Sequence, residues 1–483
     1  MRIVAVVFLV SLLSACAGMG EWSSSYPNAK KDPRLANAPR VDLNKESVSS
    51  LTEPSASLWL RIRDGFELPN LDSPLVIQQT GWLAARPDYV HRSLARSSRY
   101  LFYIVEEVKQ RGMPTELALL PFVESAFNPE AKSVAKAMGI WQFMPATGKD
   151  FKLTQNVFRD ERRDVLQSTS AALDYLQRLY TQFGDWQLAL AAYNWGEGNM
   201  ARAIRNNQAK KLPTDYLSLK MPNETRNYVP KLMAYRNIIS DPSAYGITLP
   251  PLENHPYFVA IDITRDIDVE VAAQLSELSL QEFRNLNPSF NKPVILGAAN
   301  QQMLLPFGHA ELFQSNLATY DKPLASWTAV AIPKNETPEQ LATRLGVDVA
   351  MLREINGIPK GMRIRAGSTV LIPKNPDKVG DIPEHLAENA QLNLEKAAAA
   401  AKRANSNAAA SQASSKTAAK TASKTTSKTT TQTTTKASTK TSHTTTNPSN
   451  SSQKKVAIEP KTASTQHKPS STNLVKSDKN SGN

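Results

Sequence analysis

Apolar residues recur at helical spacing throughout residues 57–240, and no strand-like alternation interrupts them. One apolar stripe follows Asp164, a good N-cap residue, and stops before Gly184, which favours the end of a helix. The next segment, WQLALAAYNWGEG, is nearly all apolar and predicts a short buried helix. This periodicity predicts an all-α domain at residues 56–245.

A single carboxylate, Glu124, ends an apolar run in the segment MPTELALLPFVES. If an α-helix begins at Pro114, with Glu116 in its first turn, Glu124 shares a face with Leu117 and Leu120. A carboxyl group turned towards the protein interior has a raised pKa unless it is paired, and a general acid must be protonated near neutral pH. The competing interpretation is a solvated or salt-bridged acid on a helix surface, which the helical pattern alone favours.

The pattern changes after Pro250. Residues 252–307 and residues 325–374 each follow the order strand, helix, helix, strand, and in each an asparagine, Asn287 or Asn356, follows the second helix. The sequence therefore predicts two small βααβ units of similar construction, so the chain is expected to contain several domains.

The formal net charge of +13 is concentrated at the C-terminus. Residues 401–483 hold fourteen Lys and Arg against two acidic residues, a net charge of +12, so the rest of the chain is close to neutral. A near-neutral folded part argues against a nucleic-acid partner.

Residues 376–483 are rich in Lys, Thr, Ser and Ala and predict a disordered basic tail, in which residues 383–404 could form a transient helix. The tail is either a solvated tether or a segment that binds an anionic wall or membrane surface.

The N-terminus has the pattern of an export signal. Residues 1–15 contain one early basic residue, an apolar run and then small residues, as a secretory signal peptide does. The lone cysteine, Cys16, resembles the acylated cysteine of a bacterial lipoprotein; the alternative is an ordinary signal peptide that leaves a free thiol. Ala17, by resemblance to the bacterial sorting pattern, favours the periplasmic face of the outer membrane. Residues 16–55 are polar and rich in proline, which predicts a tether.

Histidine and cysteine positions restrict the available chemistry. None of the six histidines lies between residues 92 and 254, so the core of the helical domain, residues 110–240, cannot build a Ser-His-Asp or Cys-His arrangement, or a zinc site made of Cys and His, from its own residues. No phosphate loop or dinucleotide-binding motif occurs, and we expect neither a metal nor a cofactor. Carboxylate chemistry remains.

Four segments occur in the order and at the spacing of the lytic transglycosylases: ESAFNPEAKS (124–133), MGIWQFMPATG (138–148), LALAAYNWGEG (188–198) and ETRNYVPKLMAY (224–235). The chain most resembles the membrane-bound lytic murein transglycosylase D family, over about Leu58–Ile239 with a motif core at 110–240. The resemblance implies a goose-type, lysozyme-like catalytic domain. The βααβ units resemble LysM modules, 325–374 moderately and 252–307 poorly. Glycan binding is therefore expected of the second unit, while the first is either a degenerate module or a spacer.

The resemblance also implies an activity in cell wall remodelling: cleavage of the β-1,4 bond between N-acetylmuramic acid and N-acetylglucosamine in the glycan strands of peptidoglycan. Glu124 would protonate the glycosidic oxygen and then act as base towards the C6 hydroxyl of the muramic acid, giving a 1,6-anhydro end. An internal hydroxyl nucleophile accounts for the missing second carboxylate, which hydrolytic glycosidases need. Seven further positions match the family's motifs and would line the cleft, although core packing competes for each: Ser133, Gln142, Met144, Tyr193, Asn194, Glu224 and Tyr228.

Two other functions stay open at this point. One is a muramidase that hydrolyses the same bond with water, and the other is an inactive wall-binding scaffold. One departure from the family is visible, because members often have Tyr-Gly-Leu where this chain has Phe151-Lys152-Leu153. The loop is therefore expected to differ in shape.

Overall fold

The computed structural model of the chain describes residues 57–299, 301–375 and 380–396. The predicted signal peptide, Cys16, the tether up to residue 55 and the basic segment beyond residue 396 lie outside these ranges. Within them, no helix is both long enough and apolar enough to cross a lipid bilayer.

The first half of the described chain is helical, as predicted. Local signals set the helix ends: the Asp164 side chain accepts hydrogen bonds from the backbone amides of Leu166 and Gln167, and Gly184 ends the same helix with a φ of 70°. The helices are α1 (Leu58–Asp64), α2 (Pro74–Ala84), α3 (Pro87–Ser97), α4 (Leu101–Gln110), a 3-10 helix (Thr115–Leu119), α5 (Leu120–Ser125), α6 (Pro145–Asp150), α7 (Val165–Phe183), α8 (Trp186–Trp195), α9 (Glu197–Gln208), α10 (Asn223–Arg226), α11 (Tyr228–Ser240) and a second 3-10 helix (Ser243–Tyr245).

Helix α11 holds the helical domain together. It packs along α2 and also contacts α5 and α8. Its residues Val229, Leu232 and Ile239 are fully buried, as is the run of small apolar residues 189–192 in α8. Burial of such residues is the main favourable term in folding, so these contacts fix the short helix α5 against the domain core.

The expectation of one continuous helix leading to Glu124 is wrong. Thr115–Leu119 forms a 3-10 helix, and α5 begins only after it. Pro121 explains the break, because proline has no amide hydrogen to donate and its ring clashes with the preceding turn of an α-helix. Glu116 lies in the first turn of the 3-10 helix. It is fully buried and accepts hydrogen bonds from the backbone amides of residues 67 and 68.

The two predicted βααβ units follow the helical domain. The first contains β1 (Phe258–Asp262), β2 (Ile267–Asp268), α12 (Val269–Leu275), α13 (Leu280–Leu286), β3 (Val294–Ile295), a 3-10 helix (Gly297–Ala299), β4 (Gln302–Pro306) and α14 (Phe307–Ala318). The second contains β5 (Trp327–Ala331), α15 (Pro338–Leu345), α16 (Val349–Asn356), β6 (Met362–Ile364) and β7 (Thr369–Pro373). In each unit the outer strands pair antiparallel, with Ala260 opposite Leu304 and Ala329 opposite Leu371. Helix α14 was not predicted.

The two asparagines of the repeat do the same work in both units. The Asn287 side chain donates to the carbonyls of Phe283 and Leu304 and accepts from the Leu304 amide. The Asn356 side chain makes the equivalent three bonds with Leu352 and Leu371. Each asparagine is buried and joins the end of the second helix to the last strand. The internal repeat is therefore structural as well as sequential.

The prediction that residues 376–483 lack regular structure is wrong for residues 380–396. Helix α17 (Glu384–Glu388) and strand β8 (Leu394–Lys396) follow the second unit, and β8 pairs antiparallel with β6. Ile382, Ala387 and Ala390 are buried in a cluster that includes Phe158 of the helical domain. Residues 380–396 contain enough apolar side chains to pack against the folded domains. The disorder predicted from the low hydrophobicity of the whole tail therefore does not apply to them.

Candidate active site

Glu124 lies in the last turn of α5, where the chain turns sharply. Ala126 and Phe127 follow with φ angles of 50° and 54°, a left-handed conformation that residues other than glycine rarely adopt. Packing holds the turn in place, since Phe127 is fully buried and its ring lies 4.5 Å from that of Phe122, edge to face. The turn stops α5 directly after Glu124 and fixes the direction of its side chain.

Burial raises the pKa of the Glu124 carboxyl to about 7, from its ordinary value of 4.5. The Tyr228 hydroxyl donates a hydrogen bond to Oε1 of Glu124, which lowers the pKa and partly opposes burial. Two charges act in opposite directions: that of Glu224 raises this pKa and that of Lys231 lowers it. The carboxyl is therefore populated in both its protonated and its ionised form near neutral pH.

Two predicted site residues belong to a loop between α5 and α6. Ser133 Oγ accepts a hydrogen bond from the Ala137 amide at 2.9 Å. Gln142 has a φ of 50°, and its side-chain amide donates to the carbonyls of Ala131 and Gly139 at 3.2 Å and 2.8 Å. Both side chains hold the loop in its conformation. In the described structure neither is hydrogen-bonded to Glu124.

Met144, at the end of the same loop, has 42% of its surface exposed. Exposed large apolar side chains at a cleft are available to contact a ligand. The structure thus leaves Met144 free of the core, in contrast to Phe143 beside it, which is buried.

Helix α8 supplies Tyr193 and Asn194. The Tyr193 hydroxyl donates to the carbonyl of Trp141 at 3.0 Å, and the Asn194 Oδ1 accepts from the Thr225 hydroxyl at 2.8 Å. Burial and the nearby charge of Glu124 hold the pKa of Tyr193 well above its usual range. Tyr193 is therefore brought beside Glu124, whereas Asn194 ties α8 to α10.

Glu224 of α10 and Tyr228 of α11 both act on the Glu124 carboxyl. Glu224 is exposed, and its charge acts on Glu124 without a hydrogen bond between them in the part of the chain that the structure describes. Tyr228 is buried at the start of α11, and burial together with the charge of Glu124 keeps the pKa of its hydroxyl well above the usual range. The Tyr228 hydroxyl consequently stays protonated and able to donate.

Comparisons with known proteins identify the family of the chain. Residues 102–214 match the model of the family described as Transglycosylase SLT domain, and residues 257–322 match that described as Lytic transglycosylase MltD, LysM-like domain. The membrane-bound lytic murein transglycosylase D of Escherichia coli (strain K12) is 32% identical over 349 residues, which cover 70% of this chain and 76% of that protein. The chain belongs to the membrane-bound lytic murein transglycosylase D family.

Two further relatives match shorter parts of this family member. The soluble lytic murein transglycosylase of Escherichia coli (strain K12) is 32% identical over 117 residues, which cover 23% of this chain and 18% of that protein. A protein of Alteromonas sp. (strain M-1) that is named a putative tributyltin chloride resistance protein is 37% identical over 187 residues. These residues cover 38% of this chain and 88% of that protein. Membership makes the chain an enzyme of the lytic murein transglycosylase class.

The match at residues 257–322 changes the view of the first βααβ unit of this transglycosylase. Its sequence resembles LysM modules poorly, but a LysM-like model specific to the family covers the unit together with α14. The unit is therefore a LysM-like domain in fold. Glycan binding by it, and by the second unit, stays a prediction.

Several residues that shape this transglycosylase site were not found by sequence reasoning. Ser125 Oγ donates to the carbonyl of Ile140 at 3.0 Å, and the indole of Trp141 donates to the Thr169 hydroxyl at 2.9 Å. Both residues lie inside the quoted segments, so motif position could have singled them out. Lys231 acts on Glu124 from α11, one helical turn after Tyr228, and that spacing was the available signal.

Proposed function

We propose that the enzyme cleaves the β-1,4 bond between N-acetylmuramic acid and N-acetylglucosamine without water and leaves a 1,6-anhydro-N-acetylmuramic acid end, with Glu124 as the single acid and base. The observation that carries this proposal is the Glu124 carboxyl, which has a pKa of about 7 beside the Tyr228 hydroxyl. A group that must give a proton and then take one back works best with a pKa near the working pH.

The steps follow from these two side chains. Protonated Glu124 donates its proton to the glycosidic oxygen as the bond from that oxygen to C1 of the muramic residue breaks, and positive charge develops at C1. The carboxylate that remains accepts the hydrogen bond of Tyr228, which stabilises its charge. The carboxylate then removes the proton of the C6 hydroxyl as that oxygen bonds to C1. Glu124 ends protonated, as it began, and no water is consumed.

The remaining predicted residues are proposed to bind the sugars. Ser133 and Gln142 hold the loop beside α5 and present polar atoms to the sugars or their acetamides, and Met144 offers an exposed apolar surface. Tyr193 and Asn194 are proposed to line the cleft beside Glu124. The electrostatic interaction of Tyr193 with Glu124 supports the role of Tyr193. The role of Asn194 is supported only by its position next to Tyr193 at the end of α8.

Hydrolysis of the same bond is the second candidate, because a second carboxylate, Glu224, acts on Glu124. A hydrolase would use such a group to activate water. The Glu224→Gln variant separates the two. If Glu224 only adjusts the site electrostatically, anhydro ends are still produced. If it is a second catalytic group, activity falls on the order of a hundredfold or more.

Digestion of isolated sacculi, followed by mass spectrometry of the released fragments, tests the proposal. The expected products end in anhydro-muramic acid, and Glu124→Gln, which keeps the shape of the side chain, lowers their release on the order of a thousandfold. Glu311→Gln is a matched control, because Glu311 is an exposed acid of α14. Products with reducing ends, or full activity of Glu124→Gln, would overturn the proposal.

A lipid anchor at Cys16, at the periplasmic face of the outer membrane, is the proposed location. Support comes from the Escherichia coli relative, which is named a membrane-bound enzyme. Metabolic labelling with a fatty-acid analogue tests it: the full-length precursor should take up the label and sediment with membranes, while Cys16→Ser should do neither. Labelling that survives Cys16→Ser would contradict the anchor.

Attachment to the wall is proposed for the βααβ units, and attachment to anionic surfaces for the basic tail. The family match at residues 257–322 supports the first, and the net charge of +12 over residues 401–483 supports the second. Binding to sacculi by Glu124→Gln protein that ends at Lys396 measures the helical domain and the two units without the basic tail. If the tail contributes, the full chain binds more tightly and loses that advantage in high salt.

A further inference from the structure

A cavity of about 600 Å³ lies where the helical domain meets the two βααβ units, and Glu124 does not line it. All three parts of the chain contribute to its wall: Glu130 and Arg163 from the helical domain, Arg284 and Lys292 from the first unit, and Trp327 and Glu354 from the second. A pocket formed between domains, with apolar surface and a few convergent polar groups, is a common form of ligand site.

Two cations in this wall are incompletely satisfied. The Nε of Arg163 is buried and has no hydrogen-bond partner within the described residues. The Nζ of Lys292 donates to the carbonyl of Ile355 at 2.6 Å, and burial lowers its pKa with no neighbouring charge to oppose the shift. The charges of Asp160 and Glu130 act on Arg163, whereas Lys292 has no such neighbour in the described part of the chain. A ligand that brings negative charge and hydrogen-bond acceptors would lower the cost of burying these groups.

The walls of the cavity are held in place by contacts between the domains. A guanidinium nitrogen of Arg163 donates to Oδ1 of Asn291, which connects the helical domain to the first unit. The bond from Lys292 to Ile355 connects the first unit to the second. A site built on rigid elements requires little ordering when a ligand binds.

The cavity adjoins the loop that carries proposed substrate-binding residues. Glu130, in the cavity wall, precedes Ala131, whose carbonyl accepts hydrogen bonds from the Gln142 side chain and the Gly139 amide. On the other side, Gly139 approaches the backbone of Arg163 so closely that an added Cβ would lie 3.1 Å from the Arg163 Cα. The loop that carries Gln142 therefore contacts residues of the cavity wall directly.

We propose that this cavity binds the carboxylate-bearing peptide branch of a peptidoglycan strand. The inference rests on the proposed function, which places such a strand in the adjoining cleft. Arg163, Arg284 and Lys292 suit carboxylates, and the guanidinium groups can bind them through two parallel hydrogen bonds. Trp327 and Phe290 offer apolar surface to aliphatic side chains, and Glu130 and Glu354 can receive a free amine.

A neutral sugar chain does not explain this wall as well. Neutral sugars are bound through stacking and uncharged hydrogen bonds, and they would leave the charge of Lys292 without a negative partner. The mixed charge of the wall fits a peptide that carries both carboxylates and an amine. Binding of the branch would position a strand by its peptides as well as by its sugars.

Calorimetry with the full chain carrying Glu124→Gln, which does not consume the strand, tests the proposal. The first probe is the stem peptide released from sacculi by an amidase, and the second is the peptide-free glycan that remains. We expect Lys292→Met and Arg284→Ala each to weaken peptide binding about tenfold, as loss of a charge-assisted hydrogen bond does. Binding of peptide-free glycan should not change. Lys322→Met, an exposed lysine absent from the wall, is the matched control.

Three results would overturn the inference: no binding of the stem peptide by the parent protein, equal weakening for both probes, or displacement of the peptide by inorganic phosphate at equal concentration. Lys292→Met loses the bond to Ile355 and could fail to fold for that reason. Arg284 is exposed, so Arg284→Ala is expected to fold and provides the test in that case. Release of fragments from sacculi by the unsubstituted enzyme tests the proposed function separately. An enzyme that cleaves sacculi but does not bind the peptide overturns this inference alone.

Discussion

The hydroxyl of Tyr228 donates a hydrogen bond to Oε1 of Glu124, although 104 residues separate them in the sequence. Glu124 lies near the end of α5 and Tyr228 begins α11, and the contact between these two helices brings the side chains together. The bond opposes the effect of burial, so the carboxyl pKa reaches about 7 and rises no further.

Removing this hydroxyl should move the pH profile to higher pH. The active acid form of Glu124 is lost as the pH rises through about 7, so the rate should fall above that value. In Tyr228→Phe the ionised carboxyl loses a stabilising donor, its pKa rises, and the alkaline half of the profile shifts upward. The maximal rate should drop about tenfold, because the carboxylate formed during bond cleavage loses a charge-assisted hydrogen bond. Initial rates on soluble glycan strands measure both effects, and an unchanged or lowered midpoint contradicts the assignment.

Two neighbouring charges should shift the same profile in opposite directions. The charge of Glu224 raises the Glu124 pKa, so Glu224→Gln should lower the midpoint of the alkaline decline. The charge of Lys231 lowers that pKa, so Lys231→Met should raise the midpoint. Each shift should shrink as salt is added, since partly exposed charges are screened. Shifts of the same sign in both variants would show that general disruption, not charge, is being measured.

Glu124→Gln should stabilise the fold at high pH. The carboxyl pKa is about 7 in the folded protein against an ordinary 4.5, so the folded state holds more protons than the unfolded state between these values. Stability therefore falls as the pH rises through this range, and the glutamine variant avoids the loss. A gain of up to about 3 kcal/mol is expected at about pH 8 and almost none at about pH 4, from denaturant midpoints. A gain that is equal at both pH values would rule out ionisation as its cause.

Lys152 occupies a conformation that favours glycine. Its φ is 61°, a left-handed backbone conformation that residues other than glycine rarely adopt. Lys152→Gly relieves this backbone strain, although it adds freedom to the unfolded chain, and a net gain of about 0.5–1 kcal/mol in stability is expected. Lys149→Gly, three residues earlier in α6, is the matched control and should cost about 1 kcal/mol, because glycine is unfavourable inside a helix. If both variants are less stable than the parent protein, Lys152 is not in a strained conformation.

Local signals in the sequence were enough for the long helices and for the outer strands of the two βααβ units. Asp164 and Gly184 mark the ends of α7 because an N-cap side chain and a left-handed glycine act within a few residues. Asn287 and Asn356 were visible as a repeat because each unit needs the same bond between its second helix and last strand. Glu124 could be singled out because a lone acid ended an apolar run.

Features set by distant parts of the chain could not be predicted. The path into α5 depends on Pro121 and on the burial of Glu116 against residues 67 and 68, which no periodicity reveals. The order of residues 380–396 depends on Phe158, more than two hundred residues earlier. The pKa of Glu124 depends on Tyr228, Glu224 and Lys231, which only the fold brings close. Sequence similarity placed Tyr228 in the site, but its bond to Glu124 is a tertiary contact.

The central claim, that Glu124 acts without a water nucleophile, is tested most directly by the source of the oxygen in the new end. Sacculi are digested in water enriched in the heavy oxygen isotope, and the released fragments are weighed by mass spectrometry, with Glu124→Gln as the inactive control. We expect anhydro ends that contain no heavy oxygen, because the C6 hydroxyl of the muramic acid supplies the oxygen of the new bond to C1. Reducing ends that each carry one heavy oxygen atom would show that water attacks, and would contradict it.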